Sequence, residues 1–223
     1  ASGRLGDAAM DRAIEALKIC RDKLAARRIF KSRLIATEAC RSAANGAAFL
    51  QRVSDETGLD LEIVDRETEA RLAVSGCGPL VGREVEALVL FDIGGGSSEI
   101  ALIDVKHRKS PHLADHIIAW TSLPVGVVSL AERYGGRDVT SQIYGAMVTD
   151  VLGMIGKFAA REILGVRAKG ENFHLLGTSG TVTTLAGIHL GLARYDRRQV
   201  DGLWMEESEV TAMTDRSAAS ASS

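Results

Sequence analysis

A chain of 223 residues is long enough for one large domain or two small ones, each with a sizeable core. Its apolar (46%) and charged (25%) fractions suit a globular protein, and a net charge of −2 argues against a broad nucleic-acid or anionic-membrane footprint. Cys20, Cys40 and Cys77 are odd in number and lack metal-ligand spacing, so they read as buried free thiols of a reducing cytoplasm. No apolar stretch approaches the roughly 20 residues a membrane span needs, and no secretory signal opens the chain. The expected setting is cytoplasmic, with neither membrane nor nucleic acid as partner.

Asp7 to Phe30 reads as a helix with Met10, Ile14, Leu17, Leu24 and Phe30 on its apolar stripe. Ser32–Thr37 reads as a short strand. Glu38 then opens a helix running through Phe49, Leu50 and Val53 to Gly58. Leu59–Val64 alternates with period two, as a half-buried strand does. Asp65 is the expected N-cap of a helix over Arg66–Gly76. Two apolar runs, Ala87–Phe91 and Ile100–Ile103, flank a glycine turn as hairpin strands. His112–Ser122 is expected to join their sheet, and Pro124 to end that strand before a helix from Val125 to Tyr134. A long helix is expected over Ser141–Leu164, a strand over Phe173–Leu176, a helix from Val182, an extended piece at Val200–Met205 and a helix from Glu206. Residues 218–223 are low in complexity. Strands alternating with helices indicate an α/β fold.

The chemistry concentrates in Asp92-Ile93-Gly94-Gly95-Gly96-Ser97-Ser98-Glu99. Consecutive glycines tolerate φ > 0, and successive backbone N–H groups in such a turn can converge on an anion. Ser97 and Ser98 add hydroxyls. Asp92, ending an apolar strand, would lie beside a bound phosphate, which is tolerable mainly with Mg²⁺ between the two; Glu99 is a second acid on the exit strand. Gly177-Thr178-Ser179-Gly180-Thr181 is a second glycine and hydroxyl turn, leading into a helix whose N-terminus attracts anions. Two strand–turn units suggest two halves that contact one phosphorylated ligand. A dinucleotide-binding reading is poor, because Gly94, Gly96 and Glu99 do not give G-x-G-x-x-G and a strand follows.

Five segments together resemble the exopolyphosphatase / guanosine pentaphosphate phosphohydrolase (Ppx/GppA) family of the actin-like ATPase superfamily. Ala36–Arg41 with Asn45 resembles A-T-x-A-x-R-x-A-x-N, and Glu67–Leu72 resembles the S-G-E-E-E-A-R-L helix start. Asp92–Glu99 resembles D-I-G-G-G-S-T-E, Leu123–Arg133 resembles L-P-x-G-x-V-x-L-x-E, and Gly177–Thr181 resembles G-x-G/S-G-T. They stand in the family's order between about Gly6 and Met205. Asp65-Arg66-Glu67-Thr68-Glu69 stands in place of S-G-E-E-E and departs from it, and the family's first phosphate loop, D-x-G-S-N-S, has no counterpart.

The resemblance implies an actin-like (RNase H-like) fold, incomplete at both ends, with a phosphate-binding cleft between a first lobe (1–122) and a second (123–217). It implies Mg²⁺-dependent hydrolysis of terminal phosphoanhydrides of polyphosphate or guanosine pentaphosphate, and it allows a homodimer. Glu69 takes the general-base role, with Glu67 as the other candidate. Asp92 and Glu99 take the metal. Gly94, Gly95, Gly96, Ser97 and Ser98 cradle phosphate, with Gly177, Ser179, Gly180 and Thr181 facing them across the cleft. Arg41 is a candidate phosphate clamp or a structural cation. An ATP-binding relative and a non-catalytic phosphate or nucleotide binder are the rival readings.

Overall fold

A computed structural model describes residues 3–27, 29, 31–136 and 139–220. The chain divides into two compact units, Ala1–Glu69 and Ala70–Ser223.

In the first unit, α1 (Asp7–Ala26) buries Ile14 against Phe49 and Val53. Phe30, expected on that stripe, lies outside the described residues. A short strand β1 (Leu34–Ala36) leads into α2 (Glu38–Ser42) and α3 (Gly46–Thr57). The single helix expected over this stretch is therefore broken. Ala43 is extended, and the Asn45 side chain accepts from Leu5 N (2.8 Å) and donates to Leu5 O (2.9 Å), pinning the chain's first turn. A side chain at Gly46 would strike the Cys40 carbonyl oxygen at 1.9 Å, so only glycine lets the two helices meet at this corner. Gly58, left-handed at φ 70°, ends α3, and β2 (Leu61–Ile63) pairs in parallel with β1. The unit boundary falls inside α4 (Arg66–Gly76), whose start matches the sequence reading: Asp65 Oδ1 accepts from Thr68 N at 2.7 Å.

The second unit is built on a four-stranded sheet. Its strands are β3 (Ala87–Ile93), β4 (Ser98–Asp104), β5 (Ile117–Leu123) and β6 (Phe173–Thr178), in the order β5-β4-β3-β6. β3 lies between β4 (antiparallel) and β6 (parallel) and is covered on both faces. Leu88 and Leu90 pack with Val74, Ala101 and Ile103, while Val89 packs with Leu102, Phe158 and Ala160. Burial on both sides is why this strand is a continuous apolar run. The sheet takes strands from both sides of residues 122/123, so the two glycine turns rise from one sheet.

Three further expectations change. The segment before β5 is a single 3₁₀ turn, Leu113–His116. The long helix breaks into α6 (Ser141–Ile155) and α7 (Arg161–Arg167), because Phe158 and Ala160 turn inward onto Val89 and Leu102. Val200–Met205 is not one continuous extended piece. A short helix α9 (Arg197–Val200), capped by Asp196, precedes a turn at Gly202, where φ is 75°. α5 (Val127–Tyr134), α8 (Ser179–His189) and α10 (Glu207–Ser220) complete the unit. Of the low-complexity tail, residues 221–223 lie outside the described residues. No helix among the described residues is long and apolar enough to cross a membrane.

α5 fixes the hairpin turn. Val127 N donates to Gly94 O (3.0 Å), and Val128 N and Ser129 N donate to Gly95 O (2.9 and 3.1 Å). These are the N–H groups that a helix start leaves without an intrahelical partner. The approach needs Gly126, where a Cβ would lie 2.4 Å from Gly94 O and 2.5 Å from Gly95 C. Both obstacles are backbone, so relief requires the turn to move. Gly126→Ala is expected to cost about 2–3 kcal/mol of stability, an overpacking penalty, and to displace the turn. Urea unfolding and the backbone amide shifts of Gly94–Ser97 check it.

Candidate functional site

The turn Gly94–Ser97 closes the β3–β4 hairpin, with Gly94 N donating to Ser97 O at 3.0 Å. The expected reason for its glycines does not hold for Gly94 and Gly95, whose φ values lie outside the left-handed region. Close approach accounts for Gly94, where a Cβ would meet Ser97 O at 3.1 Å; at Gly95 a Cβ would reach Val128 Cγ2 at 3.4 Å, an ordinary contact. The carbonyls of Gly94 and Gly95 face α5, and Ser129 Oγ lies 3.4 Å from Gly96 O. In a planar trans peptide the next N–H points the opposite way. The N–H groups of Gly95, Gly96 and Ser97 are therefore turned away from α5, which leaves them available to an anion. Ser98 differs from expectation, because its hydroxyl donates to Val125 O at 2.6 Å.

At the same end of the sheet a polar row crosses all four strands. Thr178 is in register with Asp92, Asp92 with Glu99, and Glu99 with Ser122. Residues directly opposed across strands share a face, so these side chains are neighbours. Glu99 is buried and accepts from Ser122 Oγ at 2.9 Å. Beneath the row, burial pushes the Cys77 thiol above its usual range; the Asp92 charge adds to this and a hydrogen bond with Thr178 opposes it. Cys77 is thus a buried thiol, as expected, whereas Cys20 is exposed. Among the described residues no cluster of three or more His, Cys, Asp or Glu could hold a metal unaided. Mg²⁺ commonly takes only one or two carboxylates and completes its shell with water and phosphate oxygen, and the Asp92–Glu99 pair fits that smaller set.

The second turn stands beside the first, not opposite it. β6 runs parallel to β3, so both turns leave the carboxyl ends of neighbouring strands, the usual ligand position in α/β sheets. Thr181 Oγ1 donates to Ile93 O at 3.1 Å and ties the turns together. A Cβ at Gly177 would fall within 2.8 Å of the Phe91 ring and Val182 Cγ1, so glycine is required there. Ser179 opens α8 with φ 81°, the one non-glycine residue of positive φ among those described. The exposed Gly180 and the half-buried Thr181 follow in the first turn of that helix.

The remaining candidates lie in the first unit. Glu69 stands on the first turn of α4 and is half-buried, whereas Glu67 is exposed. Arg41 holds Glu69: its Nη2 donates to Glu69 Oε2 (3.1 Å) and to Glu38 Oε2 (2.6 Å), and its Nη1 donates to Val64 O (2.5 Å). Its Nε is buried with no hydrogen-bond partner among the described residues. Burial alone would weaken the Arg41 charge, but the bonds to Glu38 and Glu69 overcome that and push its pKa up. Glu38 is bonded in turn by Arg66 Nε and Nη2, both at 3.2 Å, and by Ser42 Oγ. Arg66 chiefly, then Ser42 and Arg41, hold the Glu38 carboxyl at about 2 despite its burial. Glu38, Arg66 and Gly126 are absent from the sequence-derived candidates. The i, i+3 spacing of Glu38 and Arg41 is the one local signal that could have found the first.

The fold is mixed α/β, with two glycine turns leaving the carboxyl ends of neighbouring strands of one sheet. The model of the Ppx/GppA phosphatase family matches residues 1–203, and the chain belongs to that family. A curated relative, guanosine-5'-triphosphate,3'-diphosphate pyrophosphatase of Photobacterium profundum, is 29% identical over 187 residues, which is 83% of this chain and 35% of the relative. The crystal structure of an exopolyphosphatase-like protein superposes with a TM-score of 0.82 at 28% identity, covering 96% of this chain and 65% of the other. The Aquifex aeolicus Ppx/GppA enzyme gives a TM-score of 0.71 at 25% identity, with the same two coverages. The chain thus spans about a third of the length of the curated relative it matches.

Two predictions follow from the geometry. Ser179→Gly removes the left-handed strain, worth roughly 1–2 kcal/mol before glycine's own entropic cost, and should raise the thermal midpoint slightly; Ser179→Val should lower it. Glu38 stabilises the fold fully above its ordinary pKa near 4.5, and that contribution is lost as pH falls toward 2. Glu38→Gln should therefore lower stability at neutral pH and flatten its decline between those values, as read by urea midpoints across pH.

Proposed function

We propose that the protein to which this chain belongs hydrolyses terminal phosphoanhydride bonds of inorganic polyphosphate, guanosine pentaphosphate or both, with Mg²⁺. The observation that carries this reading is the outward set of N–H groups on Gly95, Gly96 and Ser97, beside the paired acids Asp92 and Glu99. Phosphoryl transfer asks little covalent chemistry of a protein and much positioning and charge compensation. The turn amides bind non-bridging phosphate oxygens. The Gly177, Ser179, Gly180 and Thr181 segment, with the start of α8, binds a neighbouring phosphate. Asp92 and Glu99 would hold Mg²⁺, which offsets the negative charge of the phosphate chain. Glu69 acts as the general base toward the attacking water. Its carboxylate is held from one side by Arg41, so Arg41 serves as a positioning residue for the base more readily than as a free phosphate clamp. The terminal phosphoanhydride is common to both substrates, so this chemistry does not distinguish them. Two relatives support the reading by their names, an exopolyphosphatase-like protein and a guanosine-5'-triphosphate,3'-diphosphate pyrophosphatase. A cytoplasmic setting agrees with these substrates and with three free cysteines.

Glu69→Gln in the complete protein should lower phosphate release by about 10²-fold or more, while polyphosphate and Mg²⁺ binding persist by calorimetry. Turnover close to that of the unmodified protein would remove the role from Glu69.

A further inference from the structure

Four charged side chains in the first unit form one chain of contacts, Arg66–Glu38–Arg41–Glu69. Glu69 and Arg41 have roles in the proposed reaction; Glu38 and Arg66 have none so far. Arg66 grips Glu38 with two nitrogens, one to each carboxylate oxygen. Glu38 takes the Arg41 Nη2 at 2.6 Å, and Glu69 takes the same nitrogen at 3.1 Å. The guanidinium is therefore seated by Glu38 and Val64 O, and Glu69 receives the longer remaining contact.

We propose that Glu38, gripped by Arg66, is a positioning residue that divides the Arg41 guanidinium between two carboxylates and so leaves Glu69 oriented but not fully engaged. This rests on Glu69 being the general base. Without the Glu38 charge, the guanidinium closes on Glu69 with its planar fork and occupies the oxygens that water must reach. The loss then falls on the chemical step and not on substrate binding.

The test uses the complete protein with polyphosphate and Mg²⁺. Glu38→Gln should lower kcat by about 10- to 100-fold with KM changed less than about twofold, the size expected when a reacting group is misplaced. Arg66→Gln, at an exposed site, should act in the same direction with a smaller loss, and Arg66→Lys should restore part of it. In a Glu69→Gln background, Glu38→Gln should cause no further loss, because both act through one group. The Arg41 side-chain ¹⁵N resonances should move in Glu38→Gln and in Arg66→Gln without substrate. A Glu38→Gln effect on KM alone, full activity of that variant, or a loss that persists beside Glu69→Gln would overturn the proposal. So would Arg41 resonances unmoved in both variants. Retained turnover in Glu69→Gln alone would instead defeat the general-base reading. If Glu38→Gln fails to fold, Arg66→Gln leaves the buried pair in place and decides the matter by its kcat and resonance shifts.

Discussion

The donation of three backbone N–H groups at the start of α5 to the carbonyls of Gly94 and Gly95 governs the candidate phosphate site. A hairpin turn of this length has several accessible peptide orientations. The helix selects the one in which the carbonyls are consumed on one side and the following amides emerge on the other. Polarity at the site is thus set by backbone packing. The helix terminus is itself spent in the process and is not an anion site. Gly126 is the residue that makes the contact possible, and Pro124 and Val125 lead the chain to it directly from β5.

A comparable economy operates in the first unit. Burying a guanidinium and two carboxylates is costly unless each is paired with good geometry. Here Arg41 satisfies a backbone carbonyl and two acids at once, and Arg66 completes the exposed end. Asp65 caps the helix on which Glu69 stands, so the carboxylate is fixed both by its backbone and by its partner.

Much of this was legible in the sequence because local rules sufficed. The two apolar runs, Ala87–Phe91 and Ile100–Ile103, around three glycines specify a hairpin, and Asp65 ahead of Arg66–Gly76 specifies a helix start. What was not legible depends on contacts distant along the chain. The break between α2 and α3 requires the Asn45 side chain to find Leu5, and the break between α6 and α7 requires Phe158 to find Val89 and Leu102. At the first turn the argument from φ named the right residues for a reason that fails at Gly94 and Gly95, and the glycine requirement at Gly126, some thirty residues on, comes only from its packing against that turn. The second turn was recognised as a phosphate-type segment, yet its parallel pairing beside β3 is a register that no local pattern reports. Arg41 was open between clamp and structural cation because its partners, Glu69 and Val64, lie more than twenty residues away.

The parallel pairing of β3 with β6, reinforced by the bond from Thr181 to Ile93, has a mechanical consequence. Adjacent strands keep a separation of about 4.8 Å. The two turns therefore keep a fixed spacing, and they cannot spread without breaking the hydrogen bonds between β3 and β6. If they grip neighbouring phosphates as proposed, the opening that admits a ligand has to come from other parts of the molecule.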